Sequence, residues 1–549
     1  MAKYYRFIIP AIVSGLLLVA ASAAYLRYLA WFALVPLLWA IYAASKENKN
    51  KKFLFLLGFA AGAVYFGYTV RWFFSINLAE LLGMSPLLSF VTVAFVWLYS
   101  TLAFSLFWGL FSLFLGLELR RQRKWYFELA IAVSFFAIAE FLRTYFFGVA
   151  WLGSGSVLGF HWTIGNLAYL FTDSRLIIWL APITGIYGIT TVIAAANYFL
   201  LALYQKRLNI NPPRRYYVAG AVILAALCFV AIPKSKPQNQ PSGGQSLEYA
   251  IVQANEPSKY DLAPKEQLEI FNSQLELMNK INSADPKVQL VVLPEAVSFI
   301  KNISNFLGAD QITKYFKKIF PGKEVLTVAP TRFIDENGKF RSRALYIDSQ
   351  KGYIGFYDKR ILSPGGEFIP YILKLPIKLL SPKTVVSFSR TRDLAPGKQN
   401  EPKGVDFAGL FRVGSAICSD FFSPGFVRGV AKTSDVIAGL SSTGFLNGNS
   451  AMVSQIQANA KLRAAENNTP IILAANTGIS YAVDGQGLTA KTAQNKDSEL
   501  LTGTIYIPRK KTWYNRFGDW ILIPFFCVAV FCLINNFKKH GLSFKKVHK

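Results

Sequence analysis

Histidine is almost missing from this chain. There are three in 549 residues, His161, His540 and His548, and none between Leu247 and Ile507. That absence removes Ser–His–Asp and Cys–His catalysis from the long, less apolar stretch, and argues against a zinc site there. Cysteine is scarce as well, with four residues. Cys228, Cys527 and Cys532 fall in long apolar runs, so Cys418 stands alone in the less apolar part, and no disulfide framework exists. Charge is thin, at 16% of residues, and acids are few, with 31 Asp and Glu against 59 Lys and Arg. Against these shortages stand 53% hydrophobic residues and a mean hydropathy of +0.32, values that point to membrane spans. The formal net charge of +28 would suit nucleic acid. However, the basic residues gather in short clusters between apolar runs and form no basic reading helix, so nucleic acid is not the expected partner.

Apolar runs place eight spans. The first is Phe7 to about Ala23, read as retained rather than cleaved because a second, Tyr25 to Ala44, follows at once. The others are Phe53–Phe74, an unusually long Leu87–Leu117, Trp125–Phe147, Leu176–Tyr204, Tyr216–Ile232 and Trp520–Phe537. Basic clusters lie at the N-terminus, at Lys46–Lys52, at Arg120–Lys124, at Lys206–Arg215 and in the C-terminal tail. With eight spans every cluster falls on one side, the cytoplasmic side by the positive-inside rule, so the less apolar region faces outward. Glu140 and Arg143, three apart on one face of the fifth span, read as a structural ion pair, as side chains snorkelling to an interface, or as functional groups. The glycine-broken, aromatic segment Gly148–Ser174 is expected at the outer interface. The domain layout is thus residues 1–232 with seven transmembrane helices, 233–246 as linker, 247–511 as the outer domain, and 512–549 as a last span with a basic tail.

Within 247–511, short β-rich runs alternate with helical stretches. Expected strands are Leu247–Gln253, Gln289–Leu293, Val325–Ala329, Ala344–Asp348, Val413–Ile417, Val436–Leu440, Ile471–Ala474 and Gly503–Ile507. Expected helices are Lys265–Ile281, Ala309–Ile319 and Ala451–Glu466. The pattern reads as one α/β sandwich.

Cys418 ends the apolar run Arg412–Ile417 and precedes Ser423-Pro424-Gly425, the signal for a helix start. A thiol there faces the positive end of a helix, which favours thiolate. The plainer reading is a small buried hydrophobe. A nucleophilic cysteine without histidine needs another base. Glu295 follows the buried strand Gln289–Leu293 and Pro294, while Lys359 and Glu367 flank the Gly-rich loop Ser363-Pro364-Gly365-Gly366. Taken singly, Glu295 reads equally as a turn cap and Lys359 as a solvated charge.

In the order Glu295, Lys359, Glu367, Cys418 these residues resemble the nitrilase (carbon–nitrogen hydrolase) superfamily, as does Lys461–Asn468 with Ile471–Gly478. With spans before and after, and with Tyr357, Lys359, Pro364, Gly366, Glu367 and Pro370 matching its motif, the whole chain resembles the bacterial apolipoprotein N-acyltransferase family. Glu140–Arg143 and Leu180–Gly185 resemble it too. The resemblance implies a polytopic α-helical membrane domain joined to an αββα sandwich. It also implies catalysis by Glu295, Lys359 and Cys418 with Glu367 in support, and no metal or cofactor. Its implied partners are a membrane phospholipid as acyl donor and a diacylglyceryl apolipoprotein as acceptor, at the inner membrane of a bacterium with the catalytic domain on the periplasmic side. The chain departs from the family where Ser419-Asp420 replace Tyr-Glu after the cysteine, where Ser442-Thr443-Gly444-Phe445 replace an Asn-Asp-aromatic loop, and where Leu293 replaces Trp. Two other readings are an amidohydrolase with the same triad, and a non-enzymatic or transport protein with a degenerate domain. A transporter would show repeats, which are not seen. The apolar run Tyr371–Ile377 is expected to be a membrane-contacting arm.

Overall fold

A computed structural model describes residues 2–204, 245–256, 263–285, 287–303, 311–398, 403–446, 449–493 and 497–544. Among the described residues six apolar segments are long enough to cross a bilayer: Tyr4–Ala21, Ala24–Lys46, Lys51–Ser75, Pro86–Leu119, Trp125–Ala150 and Trp179–Tyr204. A shorter apolar helix, Leu522–Asn535, stands where the last span is expected. The expected span Tyr216–Ile232, with Cys228 and most of the linker, lies outside the described residues.

The long fourth run is one unbroken helix, Pro86–Leu119, of 34 residues. At about 1.5 Å per residue it reaches roughly 50 Å, well beyond a hydrocarbon core of about 30 Å. The second segment is less regular than expected. A 3-10 turn, Ala24–Trp31, gives way to a helix of 12 residues, Val35–Lys46. Pro36 explains the restart, because it is tolerated in a first helical turn and not further in. The backbone amides this break frees are taken up by side chains: Leu34 N donates to Asn197 Oδ1 (2.8 Å) and Leu37 N to Ser14 Oγ (2.7 Å). Irregular backbone survives at membrane depth only with such partners.

The basic clusters at the N-terminus, at Lys46–Lys52 and at Arg120–Lys124 gather at one end of the bundle. Arg6 pairs with Glu47, and the Arg120 guanidinium donates to the Lys49 carbonyl. Inside the bundle Glu140 and Arg143 form an ion pair, Nη2–Oε2 2.8 Å, both fully buried. Trp108 Nε1 and Asn166 Nδ2 complete the carboxylate (2.8 and 3.2 Å), and Arg143 Nη1 donates to the Ile164 carbonyl (2.7 Å). The pair therefore ties the irregular Trp151–Phe171 segment to the helices.

The described residues of the second domain form twelve strands. They are β1 (Gln245–Gln253), β2 (Leu290–Val292), β3 (Leu326–Ile334), β4 (Phe340–Asp348), β5 (Gly352–Asp358), β6 (Val405–Phe407), β7 (Phe411–Ile417), β8 (Val436–Ser442), β9 (Ile471–Asn476), β10 (Tyr481–Val483), β11 (Thr489–Thr492) and β12 (Glu499–Ile507). One sheet runs β12-β1-β2-β3-β4-β5 and the other β11-β10-β9-β8-β7-β6. Both are parallel at the centre, β1-β2-β3 and β7-β8-β9, with antiparallel flanks. Alternation within β1 shows the layering. Leu247, Tyr249 and Ile251 pack between the sheets, while Ala250 and Val252 pack outward beneath Phe271 and Met278 of the helix Pro264–Ala284. Strands covered on both faces need apolar residues at every position, which is why β1, β8 and β9 read as continuous runs.

The two domains are joined through polar groups. The helix Arg175–Tyr204 breaks at Gly185 (φ 64°, ψ −167°), and the Ile186 amide it frees donates to Glu466 Oε1 at 2.9 Å. Glu466 lies in the helix Ser450–Asn467 and also faces Arg463 (3.2 Å). Thr163 donates to the Phe422 carbonyl from both its amide (3.2 Å) and its hydroxyl (2.8 Å), and Trp162 stacks on Phe422.

Candidate functional site

Three of the four expected residues stand at or just past the C-terminal ends of strands. Lys359 directly follows β5 and Cys418 directly follows β7, while Glu295 sits three residues past β2. Chain ends of this kind deliver side chains to one edge of a sheet. Glu367 arrives from the loop after Lys359. There Gly365 takes φ 80°, and Glu367 N donates to the Ser363 carbonyl at 2.9 Å.

The structure brings these residues together around one ammonium. Lys359 Nζ donates to Glu295 Oε1 at 3.0 Å and to Glu367 Oε1 at 2.8 Å. The other Glu367 oxygen accepts from Ser363 N (2.7 Å), which holds the loop closed. Lys359 is 2% exposed. Burial alone would favour neutral lysine, but the two carboxylates outweigh it and hold the ammonium charged well above its ordinary range. Glu295 is pushed up, first by burial and then by Glu367, with Lys359 and the Cys418 thiol opposing. The Glu295 carboxylate thus touches the ammonium and lies within electrostatic reach of the thiol.

Cys418 differs from expectation. The helix expected from Ser423-Pro424-Gly425 does start at Pro424, capped by Ser423, but a 3-10 turn, Cys418–Phe422, separates it from the cysteine. Its thiol is pushed up to about 12, by burial and by the negative charge of Glu295, with Lys359 pulling the other way. At neutral pH it is a thiol and not a thiolate, so a base must act. Cys418 itself takes φ 47°, a left-handed conformation rare in non-glycine residues and a feature that concentrates at functional sites.

Asp420 is the residue that sequence reading missed, since its position appeared only as a departure from the family pattern. It is fully buried and accepts three hydrogen bonds: Tyr357 Oη (2.8 Å), Ile361 N (2.8 Å) and Ile417 N (2.9 Å). Burial pushes its carboxyl up to about 6. Through it the turn bearing Cys418 is bolted to the segment bearing Lys359. Ser419 adds a hydroxyl bond to the Ile361 carbonyl. An acid inside the apolar run Ala416–Phe422 was the available signal. Ser441 Oγ, buried and without a hydrogen-bond partner among the described residues, sits beside the sulfur and favours the thiolate weakly. Among the described residues no group of His, Cys, Asp and Glu is arranged to hold a metal.

The family described as "Apolipoprotein N-acyltransferase N-terminal domain" matches residues 14–199, and "Carbon-nitrogen hydrolase" matches residues 249–514. Among curated proteins the chain is similar to the apolipoprotein N-acyltransferase of Geobacter metallireducens, 26% identical over 95% of this chain and 94% of that one. It is likewise similar to those of Haemophilus ducreyi, 26% identical over 91% of each, and of a Nostoc species, 25% identical over 92% of this chain and 94% of that one. A helical membrane domain and a carbon–nitrogen hydrolase sandwich, matched in order along nearly the full length, show that the chain belongs to the apolipoprotein N-acyltransferase family of membrane enzymes.

Proposed function

We propose that this enzyme transfers an acyl chain from a membrane phospholipid to the α-amine of the diacylglyceryl cysteine at the N-terminus of an apolipoprotein. The reaction would pass through a thioester on Cys418. The observation that carries the reading is the buried ammonium of Lys359 shared by Glu295 and Glu367, with the Cys418 thiol near enough to feel the charge of all three. In the first half-reaction Glu295 takes the thiol proton as sulfur attacks the ester carbonyl carbon. Lys359 stabilises first the developing thiolate and then the oxyanion. The ester C–O bond breaks, Glu295 returns its proton to the departing alkoxide, and a lysophospholipid leaves. In the second half-reaction the amine attacks the thioester carbonyl, Glu295 accepts its proton, and the sulfur leaves and is reprotonated. Glu367 orients the ammonium. The charge of Glu295, Lys359 and Glu367 does not have to be created during the reaction; only the proton moves.

The reading extends to placement. Residues 1–232 and 512–549 anchor the chain in the bacterial inner membrane, and residues 247–511 form the catalytic domain on the periplasmic side. The basic clusters at one end of the bundle and the positive-inside rule support this orientation. Apolar side chains presented by the helix Tyr371–Leu380, which begins four residues after Glu367, support a lipid-facing entrance.

The test uses the purified full chain with its phospholipid. Mass spectrometry should find an acyl group on a peptide containing Cys418, lost on treatment with neutral hydroxylamine. A diacylglyceryl-cysteine peptide with a free amino terminus should discharge it and gain one acyl chain. Rapid release of free fatty acid that ignores the peptide would replace this reading by hydrolysis, and full transfer by Cys418→Ala would end it.

A further inference from the structure

Between Glu367 and Leu394 the chain makes an excursion of two short helices, Tyr371–Leu380 and Pro382–Thr391. Its neck is closed by the Leu394 amide donating to the Glu367 carbonyl at 2.7 Å. Its start is fixed to the membrane domain, where Tyr371 N donates to the Leu152 carbonyl at 2.8 Å and Gly153 bridges Pro370. Its second helix lies against the turn Leu78–Leu82, which precedes the span Pro86–Leu119. The excursion therefore crosses one end of the bundle, from the end of one span to the start of another.

Its faces are sharply divided. Leu373, Ile377, Thr384 and Phe388 are buried and hold it down. Tyr371, Leu375 and Leu379 are exposed in a stripe of i, i+4 spacing, joined by Leu380 and Val386. Alongside run Lys374, Lys378, Lys383 and Arg390, all exposed and without an acidic partner among the described residues. No Asp or Glu occurs from Tyr371 to Arg392. Between the two cations of the second helix lies a groove of about 450 Å³, lined by Pro382, Lys383, Val386, Ser387, Arg390 and Thr391. Apolar stripes bordered by unpaired cations suit the boundary between acyl chains and anionic headgroups. Exposed Leu87, Phe90 and Val91 continue the apolar surface onto the neighbouring span.

We propose that this arm is a binding surface for anionic glycerophospholipid of the surrounding bilayer, with the headgroup phosphate held between Lys383 and Arg390. The inference rests on charge and placement and is independent of the acyl-transfer chemistry. Net charge on the lipid distinguishes it from simple apolar contact, because a zwitterionic headgroup brings its own cation into the groove.

The experiment measures lipid that stays with the full chain after purification from mixed vesicles of phosphatidylglycerol and phosphatidylcholine. The Cys418→Ala background is used so that lipid cannot be consumed. Enrichment of phosphatidylglycerol is expected at low salt and should fade as salt rises. Each cation near the surface contributes about a fivefold preference, so Lys383→Gln with Arg390→Gln should reduce enrichment roughly 25-fold. Lys403→Gln with Lys432→Gln, the same charge change elsewhere, should leave it intact. Equal enrichment in parent and arm variant, or equal loss in the control pair, would overturn the proposal. Since both arm residues are exposed, an unchanged melting temperature is expected to accompany the loss.

Discussion

Replacing Glu367 by glutamine separates its electrostatic role from that of Glu295. Two carboxylate oxygens that share one ammonium at 3.0 and 2.8 Å stand about 5 Å apart. At an effective dielectric constant near 20, two unit charges at that separation repel by roughly 3 kcal/mol. Glu367 is one of the groups that push both Glu295 and Cys418 up. In Glu367→Gln the Glu295 carboxyl should therefore ionise at lower pH. The rate of Cys418 acylation, followed in a single turnover by the hydroxylamine-labile adduct, should keep its acid limb but move it to lower pH. The plateau should also fall, by about tenfold, because Ser363 N and Lys359 Nζ lose a charged acceptor worth about 1.5–3 kcal/mol. Glu295→Gln should instead remove the limb together with the reaction, since the proton then has no acceptor. The sign follows directly. Ionised Glu295 is the active form, so rate is lost as pH falls through its folded pKa, and removing a neighbouring negative charge lowers that pKa. An acid limb unmoved in Glu367→Gln would refute the shared-ammonium account, and a limb surviving in Glu295→Gln would refute Glu295 as the base.

Three further substitutions test the supporting structure. Lys359→Arg keeps the charge but puts a planar fork where a compact ammonium meets two carboxylates, so acylation should fall about as far as in Lys359→Ala, by at least a hundredfold. Tyr357→Phe removes one hydrogen bond to buried Asp420 and should cost about 1 kcal/mol in melting experiments, with a smaller loss of acylation than Lys359→Arg. Gly185→Ala would place a methyl group 2.3 Å from Tyr514 Cε2 at a left-handed φ, and should destabilise the junction of the two domains by more than about 3 kcal/mol, read as loss of folded protein in detergent.

Much of the architecture is written in local pattern. Spans are long apolar runs whatever surrounds them, and a strand stretch covered on both faces is largely apolar, so the buried parts of β1, β3, β8 and β9 stand out in the chain itself. The grouping of Glu295, Lys359, Glu367 and Cys418 was legible only through its resemblance to the nitrilase superfamily, because each residue taken alone reads as a turn cap, a solvated charge or a small buried hydrophobe. Elements whose stability comes from partners were not. β5, β6, β10 and β11 are short or half-polar and exist because a neighbouring strand takes their hydrogen bonds. The second span breaks at Pro36 because Asn197 and Ser14, far along the chain, accept the freed amides. Only the tertiary structure decided the protonation of Cys418: a helix end nearby argued for thiolate, but burial beside the Glu295 carboxylate made it a thiol. It also made Asp420 the bolt between two loops and Glu466 the acceptor for a broken membrane helix. A hydrogen bond across hundreds of residues leaves no periodicity in the sequence, and a pKa depends on what is packed against the group in three dimensions.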